Sequence, residues 1–186
     1  MFRAMASLRF WLAGGLVAFA SGALQAQPAA APRESAVKAA FLYKFGSFVD
    51  WPASSFKRPE DPLVIGVMND EAVAEDLAQL AAGRSVEGRP VQLRVSRDGE
   101  IPAGVHVLFV GNAKSARLRE ILAAVPGPVL VVTEQPGALS AGSVINFVND
   151  SGRVRFSVSL TSAEARGLRL SARLLAVAQD VEGRAR

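Results

Sequence analysis

Polar side chains follow two apolar runs that are predicted to be buried strands. Asn69 and Asp70 come after the first run, and Asn112 and Lys114 come after a later one. Such loops lie at the carboxyl ends of strands in an open α/β sheet, where ligands tend to bind, and the amides that open a helix can hold an anion. The stretch 111–115 is not a P-loop, because it lacks the glycine directly before the lysine. These four residues are a candidate small-molecule site; their alternative interpretation is ordinary helix caps and a βα turn.

A second candidate surface is a set of arginines near the end of the sequence. Arg153 and Arg155 project from one face of a predicted strand, and Arg166, Arg169 and Arg173 follow. Arginine is enriched at protein–protein interfaces and forms forked hydrogen bonds to carboxylates. We therefore interpret Arg153, Arg155, Arg169 and Arg173 as a candidate partner-binding rim, with a solvated face as the alternative.

Catalytic groups are scarce in this sequence. It contains one histidine, His106, inside an apolar run, and it contains no cysteine. His106 has no second histidine or cysteine for a zinc site and no serine–aspartate arrangement to act with, so we expect a hydrogen-bonded or edge-facing strand histidine. No nucleophile-elbow, zinc-protease or dinucleotide-binding motif is present. We predict a protein that is not an enzyme and carries no metal or other cofactor, with a hydrolase or transferase as the least favoured class.

Charge gives no support for nucleic-acid binding. The net charge of +4 comes from arginines scattered along the chain rather than from a basic cluster. Binding through a basic patch is therefore not expected. The absence of cysteine also excludes disulfide bonds, and the chain is long enough to bury a core without them.

Residues 1–26 have the features of a cleavable signal peptide. Arg3 and Arg9 provide its positive start, an apolar run follows, and small residues precede candidate cleavage points after Ala23 or Ala26. The apolar run is shorter than the ~20 residues that a transmembrane helix needs. In a Gram-negative bacterium this signal predicts secretion to the periplasm.

The remaining sequence is predicted to hold one domain. Residues 27–34 are expected to form a disordered tether, residues 35–180 the domain, and residues 181–186 a tail. Apolar runs that alternate with helical segments predict a single-domain α/β fold, in which a mostly parallel sheet is flanked by helices in Rossmann-like layering. The predicted strands of this part are Leu63–Met68, Pro90–Ser96, Val105–Val110 and Val129–Val132, and the predicted helices are Ala36–Val49, Asp70–Ala82 and Ala113–Val125.

Two of these segments carry patterns that predict which side chains are buried. In the first helix Ser35 is the expected cap, and apolar residues at three- and four-residue spacing form one face. That face is expected to pack on the core or, alternatively, to line a partner groove. In the strand Pro90–Ser96, Val91, Leu93 and Val95 are expected to point inward.

The end of the sequence is predicted to form a β-hairpin and a closing helix. Val144–Val148 and Val154–Leu160 alternate about a polar turn at Asn149–Gly152, where asparagine and glycine tolerate a positive φ. The stretch Thr161–Glu164 has the form of a capping box, and Ser171 is the expected cap of the final helix.

Several segments together resemble the YfiR family of small periplasmic proteins. They are the opening stretch Val37–Pro52, the strands Leu63–Val67 and Val105–Val110, and the C-terminal pieces Ile145–Phe147, Arg153–Phe156, Gly167–Leu168 and Ser171–Leu175. The resemblance covers residues 35–180, which is nearly the whole predicted mature chain.

The resemblance implies regulation without catalysis. YfiR-like proteins bind the periplasmic domain of an inner-membrane diguanylate cyclase and hold its cytoplasmic GGDEF enzyme inactive, and an OmpA-like outer-membrane lipoprotein can sequester the inhibitor. The output is cyclic-di-GMP, and with it biofilm formation and motility. Some relatives carry cysteines linked to a redox response, which this sequence lacks. The alternative function is a small-ligand binding or sensory protein without a cyclase partner, and a homodimer is left open.

Overall fold

An eight-stranded sheet lies at the centre of the structure, a computed structural model that describes residues 32–97 and 99–183. The predicted signal peptide, residues 27–31 of the predicted tether and the last three residues of the predicted tail lie outside these ranges. The helices are α1 (Glu34–Phe45), α2 (Glu71–Ala81), α3 (Ser115–Ala124), α4 (Leu160–Ala165) and α5 (Ala172–Val177). The strands are β1 (Val49–Asp50), β2 (Leu63–Met68), β3 (Ser85–Val86), β4 (Arg89–Ser96), β5 (Val107–Val110), β6 (Leu130–Thr133), β7 (Ile145–Asp150), β8 (Arg153–Ser159), β9 (Arg169–Leu170) and β10 (Asp180–Glu182).

The sheet is mostly parallel, as the sequence predicts. Its strand order is β10-β8-β7-β6-β5-β2-β4-β3, and β4, β2, β5, β6 and β7 run parallel to one another. β8 returns antiparallel to β7 as the second strand of the predicted hairpin, and β10 adds parallel to β8. The chain leaves β2 for β4 on one side and returns to β5 on the other. Its direction of winding therefore reverses at β2, and open α/β sheets tend to hold ligands at the carboxyl ends of the strands at such a point.

Helices cover both faces of the sheet, which confirms the layered α/β prediction. On one face, side chains of α1, α2, α4 and α5 join the core with alternate residues of the strands, such as Ile65, Phe109 and Phe156. On the other face, α3 packs on the strand residues between them, such as Met68 and Leu108. All six residues of β2 are buried, because both faces of a central parallel strand are covered.

The first helix is shorter than the sequence predicts. It begins at Glu34 and ends at Phe45, and Arg33 occupies the cap position without a side-chain cap, so Ser35 is not the cap. A 3-10 turn follows at Gly46–Phe48, where any side chain on Gly46 would run into Leu63. Val49 then pairs with Leu170 in the small β1–β9 sheet. The helix therefore ends four residues before the predicted Val49, which instead belongs to a strand.

The aromatic face of α1 packs on the core, as one of its two interpretations predicts. Phe41 and Phe45 lie side by side, with ring centroids 5.8 Å apart. Both contact Phe147 of β7 and Phe156 of β8 at centroid distances of 5.2–6.0 Å. Aromatic pairs in this range of distance stabilise a core beyond the area that they bury. The cluster fixes α1 against the hairpin.

Ser151 and Gly152 form the hairpin turn between β7 and β8, and both have a positive φ. The Asn149 side chain accepts a hydrogen bond from the Gly152 amide at 2.9 Å. The predicted capping box at Thr161–Glu164 is wrong, because β8 runs directly into α4 and Ser159 caps that helix. Ser171 caps α5, as predicted, by accepting a hydrogen bond from the Leu174 amide.

Two further predictions are corrected at the borders of the sheet. Val95 was expected to point inward, but 52% of its surface is exposed. It lies near the end of β4, beyond the part of that strand that packs on the core. Val181 and Glu182 were expected in the tail, but they belong to β10 and pair with β8.

Candidate functional site

The candidate ligand residues lie at the carboxyl edge of the sheet, and three of the four line one cavity. Asn69, Asp70 and Asn112 border a cavity of about 590 Å³ together with residues at the end of β4. Asn69 adopts a left-handed backbone conformation with φ of 60°, which turns the chain from β2 into α2. Lys114 is exposed and does not border this cavity; it holds the cap position of α3 without a side-chain hydrogen bond.

Part of this edge is explained by helix capping. The Asp70 carboxylate accepts a hydrogen bond from the Val73 amide at 3.0 Å, which makes it the N-cap of α2. Glu71 pairs with Arg97 across the mouth of the cavity. Asp70 is therefore a helix cap, which was the alternative to a ligand-binding role. Asn112 borders the cavity, and its side chain has no hydrogen-bond partner among the described residues.

A second cavity, of about 360 Å³, shares Asn112 with the first. It lies between α1, the end of β6 and the hairpin, and it contains a charge cluster that the sequence did not predict. The Lys38 ammonium lies 2.6 Å from Glu34 and 2.5 Å from Glu134. The apolar side of this cavity is formed by Pro136, Phe147, Val148 and Val154.

Lys38 is held as a charged group in spite of its burial. Only 9% of its surface is exposed. Burial lowers the pKa of a lysine, but the hydrogen bonds to Glu134 and Glu34 outweigh that effect and raise the pKa of Lys38 above its ordinary value. The sequence contains one indication of this cluster: Glu34 and Lys38 are four residues apart, a spacing at which oppositely charged side chains on a helix can pair. Glu134 lies 96 residues away and could not be paired with Lys38 from the sequence.

Polar side chains stiffen the sheet beside this second cavity. Thr133 Oγ1, at the end of β6, lies 2.8 Å from Ser143 Oγ and 2.7 Å from Asn146 Oδ1. All three residues are buried, and Ser143 also bonds backbone carbonyls of the neighbouring strands. Buried polar groups that are all hydrogen-bonded make a rigid arrangement. The residues that follow, Glu134 and Gln135, are thereby held in place at the cavity.

The four candidate arginines do not form one surface. Arg153 and Arg155 alternate with Phe156 and Val158 along β8, so they project from the sheet face on which α3 lies. Arg169 and Arg173 belong to β9 and α5, which sit on the opposite face. All four are exposed, and none has an ion-pair partner within residues 32–97 and 99–183. The structure brings them together only as two separate pairs.

Arg166 has a structural role rather than a place on that rim. It is half-buried and donates hydrogen bonds to the carbonyl oxygens of Leu122 and Val125, at 3.0 and 3.3 Å. These carbonyls end α3, where a cation interacts well with the helix dipole. Arg166 therefore ties α4 to the end of α3.

His106 is a satisfied structural histidine, as the sequence predicts. Its Nδ1 accepts a hydrogen bond from the Val64 amide at 3.1 Å, and its Nε2 lies 3.0 Å from the Ser55 carbonyl oxygen, to which it donates. Burial, together with the nearby charge of Arg89, holds the pKa of His106 below its ordinary value. Both ring nitrogens are used by the fold, which leaves neither for catalysis.

The described residues contain neither a cluster suited to a metal ion nor a helix suited to a membrane span. Over the described ranges, no group of three or more His, Cys, Asp or Glu side chains is placed to hold a metal ion. None of the helices in those same ranges combines the length and the hydrophobicity that a membrane span requires.

Among solved structures, this chain is similar to a conserved domain protein from Vibrio cholerae O1 biovar El Tor, at 14% identity and a TM-score of 0.45. That alignment covers 64% of this chain and 54% of the other, so this chain spans about half the length of that protein's chain. No curated protein matches significantly.

A model of the family described as YfiR/HmsC-like matches residues 35–179. YfiR-like proteins are periplasmic regulators of diguanylate cyclases rather than enzymes. The matched range begins at the second residue of α1 and ends just before β10, so β10 is the one described strand that it leaves out, and all the other described helices and strands lie within it apart from Glu34. The chain therefore belongs to the YfiR/HmsC-like family.

Proposed function

We propose that this protein is a periplasmic regulator that binds the periplasmic domain of an inner-membrane diguanylate cyclase and holds its cytoplasmic enzyme inactive. The observation that carries the proposal is the family match across residues 35–179. The structure is compatible with a binding protein: its one histidine is occupied by backbone hydrogen bonds, and its exposed arginines lie outside the core.

Such inhibition needs no chemistry, only a difference in affinity. A regulator that binds the inactive conformation of the cyclase about 100-fold more tightly than the active one shifts that equilibrium by about 2.7 kcal/mol. An OmpA-like outer-membrane lipoprotein that binds the regulator would lower its free concentration and release the cyclase. Secretion through the signal peptide at residues 1–26 belongs to the same proposal.

Deletion of the gene tests this function directly. We expect higher cyclic-di-GMP and stronger surface attachment in the deletion strain, and a return to the starting level when the gene is supplied on a plasmid. In a strain that also lacks the cognate cyclase, the deletion should have no effect. Unchanged nucleotide levels in a strain that retains the cyclase would overturn the proposal.

A second candidate function is small-ligand sensing, favoured by the two cavities that share Asn112 at the carboxyl edge. A ligand there would contact both α1 and the ends of the central strands, so it could set which partner is bound. Thermal-shift screening of amino acids and small anions on the purified protein is the test. We expect a stabilising compound whose effect is lost in Asn112→Ala; a flat profile contradicts this second function and leaves the first intact.

A further inference from the structure

We propose that His106 is a proton-operated latch for the connection between β1 and β2. We call this connection, residues 51–62, the 51–62 segment. When the imidazole takes up a proton, the segment detaches from the sheet while the sheet itself stays folded. Histidine suits this task because its charge changes in the mildly acidic range. The latch belongs to the fold, so it does not depend on which partner the protein binds.

The 51–62 segment is held against the sheet by a few side-chain contacts rather than by burial. Each of its residues is exposed or only half-buried. His106, which directly precedes β5, donates to the Ser55 carbonyl oxygen at 3.0 Å. Arg89 of β4 donates to the Asp61 carbonyl oxygen at 2.9 Å. A stretch with so few buried contacts opens at a lower free energy than the core of a fold does.

The imidazole is also the surface on which two aromatic side chains of the segment rest. Phe56 stacks on the ring and Trp51 meets it edge-on. Such ring contacts stabilise a packed arrangement beyond the area that they bury. Displacement of the His106 ring therefore removes a hydrogen bond and two ring contacts at the same time.

Only the neutral imidazole fits this arrangement. The Val64 amide of β2 donates to Nδ1 at 3.1 Å, so that nitrogen must offer a lone pair. A protonated imidazole carries a hydrogen on both nitrogens. It would leave the amide of Val64, a buried residue of a central strand, without its acceptor, and a buried donor without a partner is costly. The ring must therefore move away from Val64 when it takes up the proton.

A cavity of about 340 Å³ lies beside the ring and is bordered from both sides of the latch. Ser54, Ser55 and Lys57 of the segment line one part of it, and Val64 and Val105 line another. The Ser55 hydroxyl oxygen is buried and has no hydrogen-bond partner among the described residues. This state costs free energy in the closed form, and opening relieves it because water then reaches the hydroxyl. Release of the segment also exposes the two valines.

Charges near the ring disfavour a proton on it while the segment is closed. Burial lowers the pKa of the imidazole, and the charge of Arg89 lowers it further. Lys57 and Asp61 are the charged residues that line the cavity, and the other residues there, apart from the ring itself, are uncharged. The Ser55 carbonyl and the Asp61 carboxylate favour the proton, but this carboxylate already accepts hydrogen bonds from Lys57 and Arg58. The imidazolium therefore gains no strong partner in the closed form.

NMR at a series of pH values tests the latch, because the single histidine of the untagged protein titrates without overlap. We expect the midpoint of the His106 titration to lie below about pH 6.5. The signals of the Trp51 indole N–H and the Ser55 amide should change at that same midpoint. Below it the Ser55 amide should exchange within about tenfold of an unstructured peptide, while the buried Val144 amide stays protected by about a hundredfold or more.

Three other outcomes would each overturn the latch. Titration of His106 without a change at Trp51 and Ser55 would show that the ring takes up its proton in place. Loss of Val144 protection at the midpoint of His106 would show that the whole sheet unfolds with the segment. An imidazole that stays neutral until the sheet unfolds would show that no proton releases the segment in the folded protein.

A matched pair of serine substitutions gives an independent measurement. Ser55→Ala removes the buried hydroxyl that lacks a partner, so it stabilises the closed form and should lower the His106 midpoint by about 0.5 pH unit or more. Ser54→Ala, at an exposed neighbour, should leave the midpoint unchanged. His106→Gln should abolish the change at Trp51 and Ser55 between about pH 7.5 and 5. Equal midpoints in the two serine variants, or an acid change that persists in His106→Gln, contradict the proposal.

Discussion

The imidazole of His106 lies flat against the ring of Phe56, with 4.3 Å between the ring centroids and 11° between the planes. The Arg89 guanidinium also stacks on Phe56, 3.7 Å from its centroid, and Trp51 meets His106 edge-on. Because the Val64 amide donates to Nδ1, the imidazole must be neutral and carry its proton on Nε2. This stack holds the segment between β1 and β2 against the sheet.

Acid should therefore destabilise the fold through His106. Its pKa is lowered in the folded protein, so below the ordinary value near 6.5 the unfolded chain binds more protons than the folded one. The contribution of His106 to the free energy of unfolding is therefore largest above about pH 6.5. It decreases as the pH falls from there toward the folded-state pKa. The measurement is urea unfolding at several pH values between about 5 and 8.

A matched variant assigns this acid effect to one group. The protein contains a single histidine, so NMR of the untagged protein follows its titration without overlap. His106→Gln should lose the drop in stability between about pH 6.5 and 5, because glutamine does not titrate there. An equal drop in both proteins would show that other groups cause it.

Removal of the Lys38 charge should destabilise the fold. Lys38→Met leaves Glu34 and Glu134 facing each other without their shared cation. We expect a loss of about 2–3 kcal/mol, since breaking a buried ion pair leaves an uncompensated charge. Because the pKa of Lys38 is raised in the folded protein, this residue adds its full amount to the free energy of unfolding below about pH 10.5. That stabilisation is lost as the pH rises through the folded-state pKa. Urea unfolding at neutral pH measures the loss.

The control for this variant is Lys44→Met in the last turn of the same helix. Lys44 is exposed, so its removal should cost about 0.5 kcal/mol or less through the helix dipole. Equal losses in the two variants would contradict a special role for Lys38.

The aromatic cluster predicts that replacing two phenylalanines of the opening segment with alanine lowers the free energy of unfolding by different amounts. Phe45 is 1% exposed and contacts Phe147 and Phe156, whereas Phe48 is half-buried. Phe45→Ala should cost about 3–5 kcal/mol, and Phe48→Ala clearly less, because only the first leaves a closed cavity. Denaturant midpoints of both variants are the measurement, and a smaller shift for Phe45→Ala would be inconsistent with this packing.

The two arginine pairs should differ in their effect on partner binding. Arg153 and Arg155 lie on the sheet face opposite to Arg169 and Arg173. If the cyclase domain covers the α3 face, Arg153→Glu with Arg155→Glu weakens binding by less than about tenfold and mainly slows association at low salt, as exposed rim charges do. Arg169→Glu with Arg173→Glu then changes nothing. Surface plasmon resonance at two salt concentrations distinguishes them, and unaltered binding in both identifies solvated residues.

Continuous apolar runs allowed the central strands to be predicted, because a parallel strand buried on both faces must be apolar at every position. The alternation along Pro90–Ser96 wrongly predicted that Val95 points inward, because the position of Val95 near the sheet edge depends on strand order. The helical pattern also missed the early end of α1, where a 3-10 turn at Gly46–Phe48 leads into the pairing of Val49 with Leu170. The short strands β1, β9 and β10 have no pattern of their own and exist only through their partners.

In the candidate site as well, some residues could be predicted from the local pattern and others depend on contacts between distant parts of the sequence. Asn69, Asp70 and Asn112 could be predicted because each follows a strand, and parallel strands end at one edge. The Lys38–Glu134 pair could not, because it joins α1 to the end of β6 over 96 residues. The separation of the arginines into two pairs likewise depends on which face α5 covers, which local spacing does not contain.

The two ends of the central sheet are finished differently, and this limits how large an assembly can become. β10 is three residues long and carries Asp180 and Glu182, so it is a poor template for another strand. At the opposite end, β3 pairs with Arg89 and Pro90 of β4, so that end is covered along its beginning. Growth of an assembly by strand addition is therefore disfavoured at β10 and at the start of β4.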